Sequence, residues 1–297
     1  MEEKLRLARE AYDCERLLEV HRLLDGIDDT SSDDWIRRAK KEASDATKMY
    51  AALVAGGGLE SESKDWAQCV DAKGIGVRYR PEAKSRFASV CVSARELPRA
   101  SLVLTVTNEV SLLSNFMPAF LGFQAQTLEQ ISRFRQIVWM RVRLPPPFAP
   151  RDVIFDAQGV DCLREPQGGI MILVRTPDPK DFPDLDAPPD KRNGYVVRAK
   201  VILAAALIKP HDHNTSSLVN IMNVDPVLPA LPGWLFDFVN RNIVWYAFDA
   251  FRTQVNKLGE QKELPDDYRK LVDDKKDLYD ELKKRLEPWE TEAKNKA

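Results

Sequence analysis

Apolar side chains in residues 1–58 recur every three or four positions, the spacing that lines one face of an α-helix. Leu7, Ala11, Cys14, Leu18 and His21 make one such face and predict a helix from about Glu3 to Asp25, ended by Gly26. A second face, Trp35, Ala39, Ala43, Ala46, Tyr50 and Leu53, predicts another helix, with Ser31 or Ser32 as its cap and Asp33 and Asp34 in its first turn. Gly56-Gly57-Gly58 stops it.

From Trp66 the pattern changes to strand-like alternation. Cys69–Asp71 and Val77–Tyr79 flank Lys73-Gly74-Ile75-Gly76, a hairpin signal, and Phe87–Ser93 reads as a third strand. Leu97–Phe120 is apolar at helical spacing. Strands are then predicted at Phe134–Leu144, Asp152–Cys162, Ile170–Thr176, Tyr195–Lys209 and Ser217–Val224. A loop rich in Pro and Asp, Pro177–Asn193, interrupts them. With no helix between most of these strands, an antiparallel sheet in an α+β chain is favoured over βαβ units.

The last part returns to helix. Gly233 to about Leu258 is apolar almost all round, with a narrow polar strip of Asp237, Arg241, Asn242, Asp249 and Arg252, so it must be covered on nearly every side. Leu264–Trp289 predicts a further, charged helix. Leu264, Leu271 and Leu278, with Tyr268 and Leu282, form its stripe, which suits a coiled-coil seam or a docking face.

Charge and composition narrow the function. Forty-four basic against 46 acidic side chains leave a net charge of −2, which argues against a nucleic-acid partner. The start of the chain has no apolar signal segment, and Ala100–Phe123 is too broken by Asn108, Glu109, Asn115 and Pro118 to span a membrane. A cytoplasmic protein is expected, with Cys14, Cys69, Cys91 and Cys162 as reduced thiols. His211-Asp212-His213-Asn214 reads as a polar turn between strands rather than a metal site, and neither metal nor cofactor is expected. Cys91 and Cys162 read as buried thiols, not nucleophiles. Asp156, Asp161, Arg141 and Arg143 read as sheet-surface charges, the alternative being an ion pair that orients a headgroup.

Three stretches carry a resemblance. Arg143-Leu144-Pro145-Pro146-Pro147-Phe148-Ala149-Pro150-Arg151-Asp152 is a strand end, a proline-rich turn and an Arg-Asp step into the next strand. Gly194-Tyr195-Val196-Val197-Arg198 opens another strand. Asp225-Pro226 followed by Leu231-Pro232-Gly233-Trp234-Leu235 leads into the long apolar helix. In this order they are similar to the StAR-related lipid-transfer (START) family. The resemblance implies a helix-grip fold: a curved antiparallel sheet around a long C-terminal helix, here with extra terminal helices. It implies a START-like region over residues 59–258, preceded by helices in 1–58, the second of them the leading helix, and followed by a charged helix in 259–297. Asn115-Phe116-Met117 stands where members often carry Trp-Asp. Leu112 and Met117 stand where phosphatidylcholine-binding members carry an Arg and an Asp for the headgroup.

The resemblance also implies a cavity between the sheet and the C-terminal helix. Alternation puts Val138, Met140, Val142 and Leu144 on one strand face, and Val153, Phe155 and Ala157 on one face of the next. Met140, Val142, Val153, Phe155 and Ala157 are therefore expected as lipid-binding residues. Ile202 and Ala204 correspond to cavity positions in the family, and Leu235, Phe238, Val239 and Asn242 are expected to form the facing wall. The implied function is not enzymatic. One lipid is held and moved between membranes, a phospholipid in preference to a sterol, with transient membrane contact and room for a helix-mediated protein partner. The C-terminal helix and the Pro177–Asn193 loop would be the gate. A helix-grip enzyme would need acid–base residues on the inward faces, which lack His, Asp and Glu. An interaction module that only senses ligand is the other alternative.

Overall fold

The computed structural model describes the 297-residue chain except residues 28–32, 58–65, 82–87, 145, 147, 183–184, 186–187, 189–194, 226, 228–241 and 293–297. Three helices come first: α1 (Glu2–Asp13), α2 (Leu17–Leu24) and α3 (Asp34–Gly57). The single helix expected up to Asp25 is thus two. Glu15, at φ +55°, breaks the ladder, while buried residues continue on one side across the break (Ala8, Ala11, Leu17, Leu18). Periodicity alone therefore could not reveal it. Asp33 caps α3, its Oδ1 accepting from the Trp35 amide at 2.9 Å; Ser31 and Ser32 lie outside the described residues.

One antiparallel sheet follows, built from β1 (Ala67–Ala72), β2 (Ile75–Pro81), β3 (Ala88–Pro98), β4 (Gln124–Ser132), β5 (Arg135–Val142), β6 (Arg151–Asp161), β7 (Ile170–Arg175), β9 (Lys200–Pro210) and β10 (Thr215–Asp225). The short β8 (Val197–Arg198) pairs parallel to the start of β6. The spatial order is β1-β2-β3-β10-β9-β7-β6-β5-β4. Lys73 and Gly74 both adopt positive φ, 52° and 70°, in the β1–β2 turn. That turn geometry matches strand twist, and Gly74 makes it inexpensive.

Period-two alternation gives the sheet two buried faces. On the outer face, Met171, Leu173, Ala205, Leu207, Val219 and Ile221 pack under α1–α3. The inner face is covered by α4 (Ala100–Asn108), α5 (Val244–Gly259), α6 (Asp266–Asp274) and α7 (Lys276–Glu292). The stretch up to Phe120, expected as helix, is α4 followed by 3-10 turns at Val110–Asn115 and Ala119–Leu121. The charged C-terminal helix is also two helices, parted at Lys275. Its apolar stripe is neither free nor a coiled-coil seam in this chain: Tyr268, Leu282 and Leu286 are buried in the inner core.

Candidate ligand cavity

A cavity of about 270 Å³ lies between the inner sheet face and the helices α4, α5 and α7. The β5–β6 register sets much of its floor. Gln136 faces Ala157, Val138 faces Phe155, and Met140 faces Val153 across the ladder. Of these, Gln136, Val138, Met140, Phe155 and Ala157 line the cavity. Phe248 and Phe251 reach in from α5, and Leu278, Tyr279 and Leu282 from α7. Among the described lining residues none is Asp, Glu, Lys, Arg or His.

Expected positions divide accordingly. Met140, Phe155 and Ala157 line the space. Val153 and Ala204 share that sheet face but pack in the adjoining apolar cluster with Val138, Phe155 and Val201. Val142 lies further along β5, opposite Arg151 and away from the lining. Asn242 is half-buried before α5 and is not among the lining residues. Leu235, Phe238 and Val239 lie outside the described residues.

Ile202 is a correction: it is 55% exposed. Leu203 pairs with Asn223 and Val201 with Val224, so Ile202 has no residue opposite it. It is the extra residue of a β-bulge, and a bulge shifts the parity on which an inward assignment rests. Ala206, two residues beyond Ala204, lines the cavity instead.

Asp156 is likewise corrected from a sheet-surface charge. It is 3% exposed and bonds Arg135 (2.8 Å) and Arg175 (3.1 Å) on the outer face, where Glu42 of α3 joins Arg135 at 3.2 Å. Tyr12 donates to Glu42 at 2.7 Å. This network ties α1 and α3 to the sheet and does not face the cavity. The Arg-Asp step is also structural: Asp152 accepts from Arg198 Nε (2.7 Å) and from Trp139 Nε1 (3.0 Å). Residues 211–214 form the β9–β10 turn, where Asp212 Oδ1 accepts from the amides of Asn214 and Thr215 at 2.7 Å.

Sequence reasoning missed the polar end of the cavity. Gln136, 6% exposed, donates to the Asn108 carbonyl at 3.1 Å and accepts from Thr127 at 2.7 Å. Asn108 bonds the Tyr279 hydroxyl at 3.2 Å and the Glu109 carboxylate at 2.9 Å. Glu109, 2% exposed, takes both oxygens to Lys275 Nζ, at 3.0 and 2.9 Å, and accepts from Tyr279. Burial, then the Glu109 charge, pushes the Tyr279 phenol above its ordinary range. Gln136 alternates in step with Val138 and could have been placed inward; nothing local to residues 275–279 announces their contact with Glu109. Asn220 also lines the cavity. Its Nδ2 donates to the Ala205 carbonyl at 3.3 Å, and its buried Oδ1 has no partner among the described residues.

Chemically, these walls suit an apolar body. The polar groups are amides and hydroxyls bonded to one another or to backbone carbonyls, apart from the Asn220 oxygen, and the buried carboxylate is neutralised by Lys275. No helix among the described residues is long and apolar enough to cross a membrane.

No family model matches the sequence, and no curated protein matches it. Solved structures do. Human STARD10 is 17% identical, with a TM-score of 0.53, over 80% of this chain and 85% of that one. Human StAR-related lipid transfer protein 5 is 14% identical, with a TM-score of 0.56, over 74% of this chain and 100% of that one. At such identities the likeness speaks to architecture: the chain has the START-like helix-grip α+β fold, a curved antiparallel sheet with helices across its concave face.

Proposed function

We propose that this protein holds one lipid in the inner cavity and carries it between membranes, working in the cytoplasm and touching membranes transiently. The observation that carries the proposal is an apolar space of about 270 Å³ whose described lining bears no formal charge. Each methylene moved from water into such a space contributes about 0.8 kcal/mol. A bilayer offers the same gain, so a carrier need only match it, and no reaction is needed. The volume of about 270 Å³ falls just below the roughly 300–1,000 Å³ range of small-molecule sites. The sequence-based preference for a phospholipid is therefore narrowed. The buried part of the ligand is uncharged and compact, one chain or one ring system, and any phosphate stays at the opening. The lipid-binding residues are Met140, Phe155 and Ala157, with Val153 and Ala204 supporting them and the α5 wall opposite.

A non-enzymatic role is part of the proposal, and the uncharged lining supports it. Among the described lining residues Tyr279 is the titratable one, and its raised pKa and its bond to Glu109 make it a poor proton donor at neutral pH. Native mass spectrometry of the purified full chain, with lipid extraction, tests the reading, followed by transfer between labelled donor and acceptor vesicles. A stoichiometric co-purifying lipid and protein-dependent transfer are expected. A protein that arrives empty and neither takes up nor transfers lipid from vesicles refutes it.

A further inference from the structure

Exposed apolar residues scattered singly need no explanation; contiguous ones do. Phe120, 60% exposed, and Tyr246, 47% exposed, stand edge to face with ring centroids 6.3 Å apart. Tyr246 in turn meets Trp245 at 5.2 Å, and Lys73 Nζ lies 5.3 Å over the Trp245 ring. Three separate segments thus converge on one aromatic surface: the 3-10 turn at Ala119–Leu121, the first turn of α5, and the β1–β2 turn.

The tip that presents Phe120 is built, not loose. The Leu121 amide bonds the Pro118 carbonyl at 3.0 Å, and the Gly122 amide bonds that of Ala119 at 3.1 Å. Gly122 has φ +47°, and a Cβ there would sit 2.6 Å from Arg143 Cδ. Glycine therefore serves both the backbone and the close approach of Arg143. Arg143 is exposed, and its amide bonds the Leu121 carbonyl at 2.7 Å. Arg252 packs against the β1–β2 turn beside Gly74. Cations thus border the aromatic surface at Lys73, Arg143 and Arg252, against Asp249, which sits 3.5 Å from Lys73.

The same segments reach the cavity a step further in. Met117 precedes the Phe120 turn, and Ala247 and Phe248 follow Tyr246; all three line the cavity. The exposed rings are the outside of a wall whose inside is the ligand space.

We propose that the Phe120–Tyr246–Trp245 surface, with its basic border, is where the protein docks on an anionic bilayer, and that ligand passes between the Met117–Phe120 segment and the start of α5. Aromatic rings with a polar edge favour the headgroup boundary, and nearby Lys and Arg favour anionic lipid. A second copy of this chain is disfavoured, because two like-charged borders would then face each other. The proposal rests on the lipid-carrier reading for its purpose, but its test does not.

The experiment is co-sedimentation of the full chain with vesicles of phosphatidylcholine alone or mixed with phosphatidylserine, at low and at physiological salt. Wild type is expected to partition better onto the mixed vesicles, and less so as salt rises. The double variant F120S/Y246S should lose about a hundredfold in partitioning, roughly tenfold for each ring withdrawn. I202S removes an exposed apolar side chain elsewhere and should behave as wild type. K73Q should lose part of the phosphatidylserine preference. Unchanged partitioning of F120S/Y246S, absence of wild-type partitioning on either vesicle, or loss of a dimer instead of vesicle binding overturns the proposal. Both substituted positions are exposed, so unchanged thermal unfolding certifies the fold. Lipid content by native mass spectrometry on the same preparations reports separately on the carrier reading.

Discussion

Replacing Lys275 by Met probes how the C-terminal helices close the cavity. Glu109 follows α4 directly, where the helix dipole disfavours a carboxylate. It is 2% exposed and relies on Lys275 Nζ, bonded to both oxygens, with further bonds from Tyr279 and Asn108. Removing the cation leaves a buried charge uncompensated, which costs about 3–5 kcal/mol in a fully buried pair. The Lys275 side chain is 27% exposed, so water screens part of the loss. About 2–4 kcal/mol is expected, concentrated where α6 meets α7. Because Leu278, Tyr279 and Leu282 of α7 line the cavity, the helix should open more often and ligand should exchange faster. Urea unfolding of K275M, E109Q and the double variant measures the energies; hydrogen exchange along residues 276–292 locates them. The double variant should recover most of the K275M loss, since the neutral amide introduced by E109Q needs no counter-ion. If K275M costs less than about 1 kcal/mol, the network does not latch the helix. If the double variant is no more stable than K275M alone, the cost never came from a stranded charge.

Other consequences can be checked independently. Ala157→Trp should fill the cavity floor and abolish lipid retention in native mass spectra while the chain stays folded; Ile202→Ala, on the exposed bulge, should leave retention unchanged. Asp156→Asn should cost about 3 kcal/mol in chemical unfolding by stranding Arg135 and Arg175, yet leave ligand affinity intact, because that network faces α3. Burial raises the Cys91 thiol from 9.0 to about 11 and raises Cys162, Tyr12 and Tyr279 as well. The fold keeps the Cys91 thiol neutral, so its contribution is complete below pH about 9 and lost as pH climbs through about 11, and the other raised groups act in the same direction; a stability profile that rises over that window would contradict the burial. At pH about 8 in the native protein, a thiol reagent should label the exposed Cys14 and spare Cys91 and Cys162 until unfolding.

Side-chain order along the chain was enough to divide β5 and β6 into faces, because alternation is local and those strands pair over Arg135–Val142 and Arg151–Gln158 with no register shift. It placed Met140, Phe155 and Ala157 inward for that reason. β4 was not legible: register shifts between Thr127 and Glu129 and between Gln130 and Ser132 scramble its alternation, and as an edge strand it stays half exposed. The breaks at Glu15 and Lys275 were hidden because an apolar stripe continues across a kink. Ile202 was misplaced because a bulge depends on the partner strand. The polar end of the cavity lay furthest from reach. Asn108, Glu109 and Gln136 meet Lys275 and Tyr279 only when residues some 170 positions apart are packed together. Local order dictates which side of an element is apolar. Which elements then face one another, and what space they leave, follows from long-range packing, and the tertiary structure alone decided it.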